Sequence, residues 1–162
     1  LRIFTGRRVL VGDRIIVDGF DGFIEDIGIR STRLRTLEKR LVTIPNYKIV
    51  EASIENISNE PMRRVILDLG LTYNTSPEKM EKALEILKGM PSRVKNVDSK
   101  EVIAYFSGYG AFSLNIRFIY WVKDVAKFPE TNSNVNLDIL HSFNDAGLEF
   151  AFPTQTVYIE KD

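Results

Sequence analysis

The chain has 162 residues, of which 44% are hydrophobic and 27% charged, and its 22 basic side chains equal its 22 acidic ones. This composition predicts a folded protein of one large or two small domains, and it excludes a chain that a global positive charge holds on a polyanion. No cysteine is present, so disulfides, thiolate metal sites and a cysteine nucleophile are excluded, and no apolar run approaches the ~20 residues of a membrane-spanning helix.

Short strands and tight turns alternate from Arg8 to about Ser58. Asp18-Gly19 and Asp21-Gly22 are typical of the positive-φ positions of a hairpin connection, and Pro45-Asn46 indicates another turn. The pattern predicts five short antiparallel strands. Closing them into a small barrel would remove the exposed sheet edges.

The strand-like segment at residues 28–46 is strongly basic. It could bind nucleic acid, bind a membrane surface or serve the fold alone. In the last case its arginines pair with carboxylates such as Glu25, Asp26, Glu38 or Glu51, and each exposed pair contributes only a few tenths of a kcal/mol. Composition does not choose among these three readings.

A longer strand at residues 63–74 follows Pro61 and leads into a predicted helix. Ser76 is its N-cap, Pro77 its first residue and Gly89 its stop. The spacing i, i+3, i+4, i+7 places one apolar face of this helix on a sheet. That face consists of Met80, Ala83, Leu84 and Leu87.

Two further strands surround a glycine-rich bend at residues 107–110, and a second helix is predicted over residues 132–146, ended by Gly147. The order β-α-β-β-α predicts an α+β, ferredoxin-like arrangement. The inward face of the second helix is expected to hold Ile139, Leu140, Phe143 and Ala146.

The last predicted strand leaves this sheet, because Pro153 removes a ladder donor at the point where it would enter. Its unpaired backbone groups need another partner, most simply the same strand of a related subunit. Residues 153–162 are therefore predicted to be an oligomerisation strand. Its central residues are Thr156, Val157, Tyr158 and Ile159.

Few residues in the sequence are typical of an enzyme's active site. His141 is the only histidine, and Asp138 and Asp145 stand at i−3 and i+4 from it. Such a face could hold a divalent cation, but a solvated helix surface is the preferred interpretation. The chain has no serine-nucleophile motif and no phosphate-binding loop. We predict no catalytic residue, no metal and no cofactor.

A nucleic-acid-binding module remains as the alternative function, since Sm-like barrels and RRM-like sheets both occur in RNA-binding proteins. Tyr109, Phe112 and Phe118 could stack bases. Against this, the basic residue that opens the RRM motif is absent, and the chain after Lys48 carries a net negative charge that repels phosphate.

The order of motifs resembles one family. A Val-Gly-Asp entry, a glycine hairpin, an Arg-Ser-Thr-x-x-Arg strand and an Ile-Pro-Asn turn follow one another over about fifty residues, and the chain closes on "AGLEFAFPTQTVYI". This order is similar to the region that follows the pore helix in MscS-type mechanosensitive channels. The similarity covers nearly the whole chain.

The resemblance implies the cytoplasmic vestibule of a heptameric channel at the inner membrane of a prokaryote. Its own membrane helices would precede Leu1, and the fragment itself would be soluble. The implied domains are an Sm-like five-stranded barrel at residues 1–59, a ferredoxin-like domain at residues 60–152 and a barrel-closing strand at residues 153–162. The implied function is the release of ions and osmolytes on hypo-osmotic shock, with side portals that prefilter solutes.

The resemblance also implies roles for individual residues. Glu60, Arg63 and Arg64 match the domain junction, close to the portals. Val9-Leu10 and Tyr47 depart from the family's usual residues. The barrel turns, the third-strand motif and the loop beneath the pore match Gly12, Asp13, Gly22, Ser31, Thr32, Arg35, Pro45 and Asn46.

Overall fold

The computed structural model describes residues 9–160 of the chain. These residues contain eight β-strands and three α-helices. Residues 1–8 and 161–162, the outer ends of the predicted first domain and of the predicted C-terminal strand, lie outside the described part. The contacts divide the chain into two compact units after Glu60. Each unit is built on its own antiparallel sheet and its own core.

The first unit is a five-stranded sheet of order β4-β3-β2-β1-β5 with one short helix, α1. Alternate side chains of its strands point to one face and form a core with Ile49 of α1. The elements are β1 Arg14–Val17, β2 Phe20–Ile27, β3 Ser31–Thr36, β4 Leu41–Pro45, α1 Asn46–Glu51 and β5 Glu55–Asn56.

The predicted barrel is not seen as a closed sheet. Within residues 9–160, β4 and β5 stand at opposite edges and no ladder joins them. The sequence predicted a turn at Pro45-Asn46 and then a full strand, whereas helix α1 begins at Asn46 and β5 has only two residues. Alternation alone missed α1, because six residues are too few to show a helical period.

The hairpin of β1 and β2 has one turn, at Asp18-Gly19. Asp18 and Gly19 have φ of 49° and 79°, as a two-residue connection requires. The prediction that Asp21-Gly22 also forms the turn is wrong, because Gly22 lies inside β2 between Ile15 and Thr36. A Cβ at Gly22 would lie 2.4 Å from the Arg35 carbonyl oxygen. Glycine is required there for close approach of two strands, not for a positive φ.

The second unit places two helices on one face of a three-stranded sheet of order β6-β8-β7. Residues 149–151 run along the outer edge of β6, where Thr72 N–H donates to Glu149 O and Ala151 N–H donates to Gly70 O. The elements are β6 Arg63–Leu71, α2 Pro77–Lys88, β7 Ile103–Tyr109, β8 Leu114–Val122 and α3 Phe128–Asp145.

Helix α2 follows its sequence signals. Ser76 Oγ accepts from the Lys79 N–H, Pro77 opens the helix and Gly89 ends it. The predicted face is inward, with Leu84 only half-buried.

Helix α3 differs from its prediction. It begins at Phe128, four residues before the predicted start, with Pro129 in its first turn. Val135, Ile139 and Phe143 therefore form the buried stripe at intervals of four residues. The prediction that Leu140 faces inward is wrong, because its side chain is 46% exposed. None of the helices within residues 9–160 is both long enough and apolar enough to cross a membrane.

Candidate functional site

The third-strand and Ile-Pro-Asn motif residues meet at one end of the first sheet. The β2–β3 turn, the start of β3 and the end of β4 come together there, since Ser31 pairs with Pro45 and Thr32 with Ile44. Asn46, the first residue of α1, follows directly. Residues separated by about fifteen positions in the sequence thus share one small volume.

Asn46 holds this end together through its side chain and its backbone. Its Nδ2 donates to Gly28 O at 2.9 Å and to Ile29 O at 3.1 Å, and its Oδ1 accepts from Thr32 Oγ1 at 2.9 Å. Its N–H donates to Arg30 O. Thr32 and Asn46 are 2% and 8% exposed. The motif therefore ties the start of α1 to the β2–β3 turn and leaves no donor of these two side chains for a ligand.

Gly12 and Asp13 form the entry turn. Gly12 has a φ of +94°, where glycine is favoured, and its N–H donates to Ile24 O. Asp13 Oδ2 accepts from the Leu10 N–H at 3.0 Å and from Asn56 Nδ2 at 2.9 Å. This carboxylate links the entry turn to β5, so its contacts are structural.

The Arg35 guanidinium forms hydrogen bonds within its own chain. Its Nη2 donates to both carboxylate oxygens of Glu25, at 3.0 and 2.8 Å, and its Nη1 donates to Lys39 O. Pairing with Glu25 was one of the readings that the sequence left open. The guanidinium and the carboxylate are 37% and 47% exposed, so the pair contributes only a few tenths of a kcal/mol.

Sequence reasoning missed a second cross-strand ion pair. Arg14 Nε and Nη2 donate to the two carboxylate oxygens of Asp21 at 2.9 and 2.8 Å. These hydrogen bonds hold the pKa of the Asp21 carboxyl below its usual value and raise the pKa of Arg14. The available signal was the placement of Arg14 and Asp21 on the two strands that flank the Asp18-Gly19 turn.

Arg63 and Arg64 begin β6 and point to opposite faces of the second sheet, because successive strand residues alternate. The Arg63 guanidinium lies 5.1 Å from the ring centre of Phe128 in a cation–π contact. Arg64 is exposed and stands opposite Trp121 in the β6–β8 register. Glu60, at the end of the first unit, is half-buried, and its charge contributes to the raised pKa of Arg14.

The C-terminal tail, residues 152–160, contrasts with these satisfied groups. No strand or helix is assigned to it. Val157, Tyr158 and Ile159 are 68%, 90% and 85% exposed, and Phe152 is 68% exposed. Four large apolar side chains within nine residues are thus left in contact with solvent.

The residues that the sequence suggested for metal binding and for base stacking do not come together in one site. His141 is exposed on α3, and Asp138 is bound by Arg93 through two hydrogen bonds of 2.8 and 2.9 Å. No group of three or more metal-ligating side chains is found among residues 9–160. Of the aromatic residues considered for base stacking, Phe118 is fully buried, whereas Tyr109 and Phe112 are 78% and 40% exposed.

Comparison with known families matches both units in order. Residues 1–59 match the β-domain of mechanosensitive ion channels, and residues 65–150 match the C-terminal domain of the MscS mechanosensitive ion channel. The chain belongs to the MscS family of mechanosensitive channels. The resemblance read from the motifs is confirmed, and the family is one of ion channels, not enzymes.

Several MscS-family proteins are similar to this chain. It is 37% identical to the large-conductance mechanosensitive channel MscMJLR of Methanocaldococcus jannaschii, over 100% of this chain and 46% of that protein. It is 42% identical to the small-conductance channel MscMJ of the same organism, over 94% of this chain and 44% of that protein. The chain therefore spans less than half the length of these relatives.

Solved structures share the fold. The closed state of Helicobacter pylori MscS aligns with a TM-score of 0.81 at 22% identity, covering 95% of this chain and 60% of that one. Arabidopsis thaliana MSL1 aligns with a TM-score of 0.79 at 19% identity, covering 94% of this chain and 54% of that one. The two-unit architecture with five-stranded and three-stranded antiparallel sheets is thus that of the MscS family.

Proposed function

We propose that this chain is the cytoplasmic vestibule of a mechanosensitive channel at the inner membrane of a prokaryote. In this proposal seven copies assemble beneath a pore made by membrane helices of the same polypeptide. Membrane tension opens the pore, and ions and small osmolytes leave the cell on hypo-osmotic shock. The observation that carries the proposal is the match of both units, in order, to the two MscS domains.

Within this assembly the first unit would be an Sm-like barrel and the second a ferredoxin-like domain. The order β4-β3-β2-β1-β5 supports the first assignment, and the β-α-β-β-α order of β6 to α3 supports the second. The proposed domains are residues 1–59, 60–152 and 153–162. The loop beneath the pore would be held by Ser31, Thr32, Pro45 and Asn46. The other family-motif residues, Gly12, Asp13, Gly22 and Arg35, would maintain the sheet of the first unit.

The tail supplies the contact between subunits in this proposal. Its large apolar side chains are at least 68% exposed, and burying them between copies would remove this surface from water. Strands from seven subunits would pair through their backbones and close a barrel that has no edge. The residues involved would be Thr156, Val157, Tyr158 and Ile159.

Charges at residues 60–64, where the chain passes from the first unit to the second, would act on permeating solutes. We place Glu60, Arg63 and Arg64 beside side portals, where a narrow opening lined by protein focuses the field of each charge. The portals would then filter solutes by size and by charge before they reach the pore.

The test is electrical. The complete polypeptide containing this chain, reconstituted into giant liposomes, is expected to give currents that begin when suction raises membrane tension. Arg64→Glu is expected to shift the ratio of cation to anion permeability, whereas Lys82→Glu, at an exposed position of α2 that is not assigned to the portals, serves as the control. A complete polypeptide without any tension-dependent current would refute the channel function, and an unchanged permeability ratio would refute the portal assignment.

A further inference from the structure

The sheet of the second unit has one face that no part of residues 61–160 covers with a core. Its other face carries Ile116, Phe118 and Tyr120 of β8 into the core beneath the helices. The intervening residues of β8 point the opposite way. One of them, Ile119, is buried yet belongs to neither core cluster of the described chain.

Ile119 is the centre of an apolar row across all three strands. It pairs with Ile66 on β6 and with Ile103 on β7, so the three side chains lie side by side on the open face. Ile66 and Ile103 are 48% and 45% exposed. Trp121, two residues along β8, extends the row on the same face. Contiguous exposed apolar surface rimmed by polar residues is typical of an interaction site.

A second apolar patch lies on the far side of the same unit. Leu137 and Leu140 of α3 are 49% and 46% exposed, and their i, i+3 spacing places them on one helix face. That face is turned away from the sheet, because Val135, Ile139 and Phe143 occupy the core-facing stripe. The exposure of Leu140 thus creates a surface that the sequence pattern did not predict.

The two surfaces also differ in charge. Helix α3 carries the exposed acidic residues Glu130 and Asp145 and neither lysine nor arginine, while its Asp138 is paired with Arg93. On the open face, Arg64 stands beside Trp121, and Arg117 is paired with Asp68 through bonds of 2.9 and 3.1 Å. An acidic helix face and a sheet face with one excess arginine are complementary in sign.

We propose that the outer face of α3 of one copy packs on the open sheet face of the next copy. Because the two patches lie on opposite sides of one layered unit, every copy carries both halves of the contact. Such a head-to-tail contact generates a ring when its rotation closes. This inference rests on the proposed assembly of the channel and adds the contact surface within the second unit.

A second copy fits this surface better than an unrelated protein does. Both patches are built from residues of this one chain, are apolar at their centres and carry opposite charges at their edges. If instead two copies packed sheet to sheet, the contact would be symmetric, and Leu137 and Leu140 would stay exposed. The two arrangements make opposite predictions for cross-linking.

The absence of native cysteine allows a direct test on the 162-residue chain. We expect the double variant Ile66→Cys/Leu140→Cys to form a ladder of disulfide-linked multimers under mild oxidation, since a bond forms only when two Cα atoms come within about 7 Å. Each single variant is expected to stay free of cross-links. Ile66→Cys/Lys82→Cys is the matched control, with its second thiol on the exposed face of α2.

Both replaced side chains are half exposed, so the variants are expected to keep the circular dichroism spectrum of the parent chain. Dimers from Ile66→Cys alone would favour the sheet-to-sheet contact and overturn the proposal, as would a ladder equally strong in the Lys82 control. Absence of a ladder would overturn it as well. In that case the native mass of the unmodified chain separates the failures: an oligomer leaves the proposed assembly intact, and a monomer contradicts both.

Discussion

The end of the first unit that contains Thr32 and Asn46 carries a family motif, and so does the C-terminal tail. Polar side chains of the first motif are hydrogen-bonded inside the fold, whereas apolar side chains of the second are exposed to solvent. Asn46 and Thr32 bind each other and the β2–β3 turn inside the fold. Tyr158 and Ile159 are 90% and 85% exposed. A motif whose polar groups are satisfied internally maintains the fold, whereas a motif that leaves apolar side chains in solvent indicates an interface.

Asn46→Ala tests the internal half of this comparison most severely. It removes two bonds to the turn and one to the Thr32 hydroxyl and leaves buried groups unpaired, so the first unit is expected to lose about 3 kcal/mol of stability. Urea denaturation followed by far-ultraviolet circular dichroism measures the loss. The fluorescence of Trp121, the only tryptophan, reports the second unit and should be unchanged.

Asn59→Ala is the matched control for Asn46, because Asn59 is exposed and lies in the same unit. Its effect is expected to stay within about 0.5 kcal/mol. Equal effects of the two substitutions would show that the buried hydrogen bonds of Asn46 do not maintain the fold.

Gly22→Ala tests the close approach of β2 to β3. The added Cβ would lie 2.4 Å from the Arg35 carbonyl oxygen, and neither strand can move without breaking ladder bonds. We expect a loss of about 2 kcal/mol in the same denaturation experiment. Gly19→Ala, which meets nothing within 4 Å but has a φ of +79°, should cost about 1 kcal/mol. The reverse order of the two effects would contradict the assignment of Gly22 to the strand.

The Arg14–Asp21 pair gives the smallest expected effect. The folded pKa of Asp21 is depressed, so the pair stabilises the folded state above the unfolded pKa of about 4, and this contribution is lost as the pH falls through the folded pKa. Both side chains retain about a third of their exposure, which limits the contribution to about 0.5 kcal/mol. Asp21→Asn should reduce the difference in urea midpoint between pH 6 and pH 3, and an unreduced difference would exclude the pair as its source.

The sequence predicted the elements whose signals are local. Ser76, Pro77 and Gly89 defined α2 because caps act within one turn, and Asp18-Gly19 defined the first hairpin. The start of α3 was placed four residues late, since its first turn is polar and has weak periodicity. Leu140 was assigned to the core because a one-residue uncertainty in the stripe rotates a helix by about 100°.

The sequence predicted which residues belong to the candidate site but not which hydrogen bonds they make. Motif order singled out Thr32 and Asn46, but their hydrogen bonds depend on the register of β3 with β4, which a single sequence does not specify. Gly22 was predicted to be a turn residue because glycine is used both where φ is positive and where two strands approach closely. Only the short distance from a Cβ at Gly22 to the Arg35 carbonyl oxygen shows that the second reason applies here. The short α1 and the Arg14–Asp21 pair also depend on tertiary neighbours.

The assembled state of the chain with and without residues 153–162 tests whether copies of this chain associate through these C-terminal residues. Mass photometry of the parent chain across a concentration series is expected to show oligomers of up to seven copies, because burying the exposed Val157, Tyr158 and Ile159 between subunits would stabilise the proposed assembly. Deletion of residues 153–162 is expected to raise the concentration of half-dissociation at least about tenfold, while the circular dichroism of the fold stays unchanged. An identical mass distribution for both chains would contradict assembly through residues 153–162.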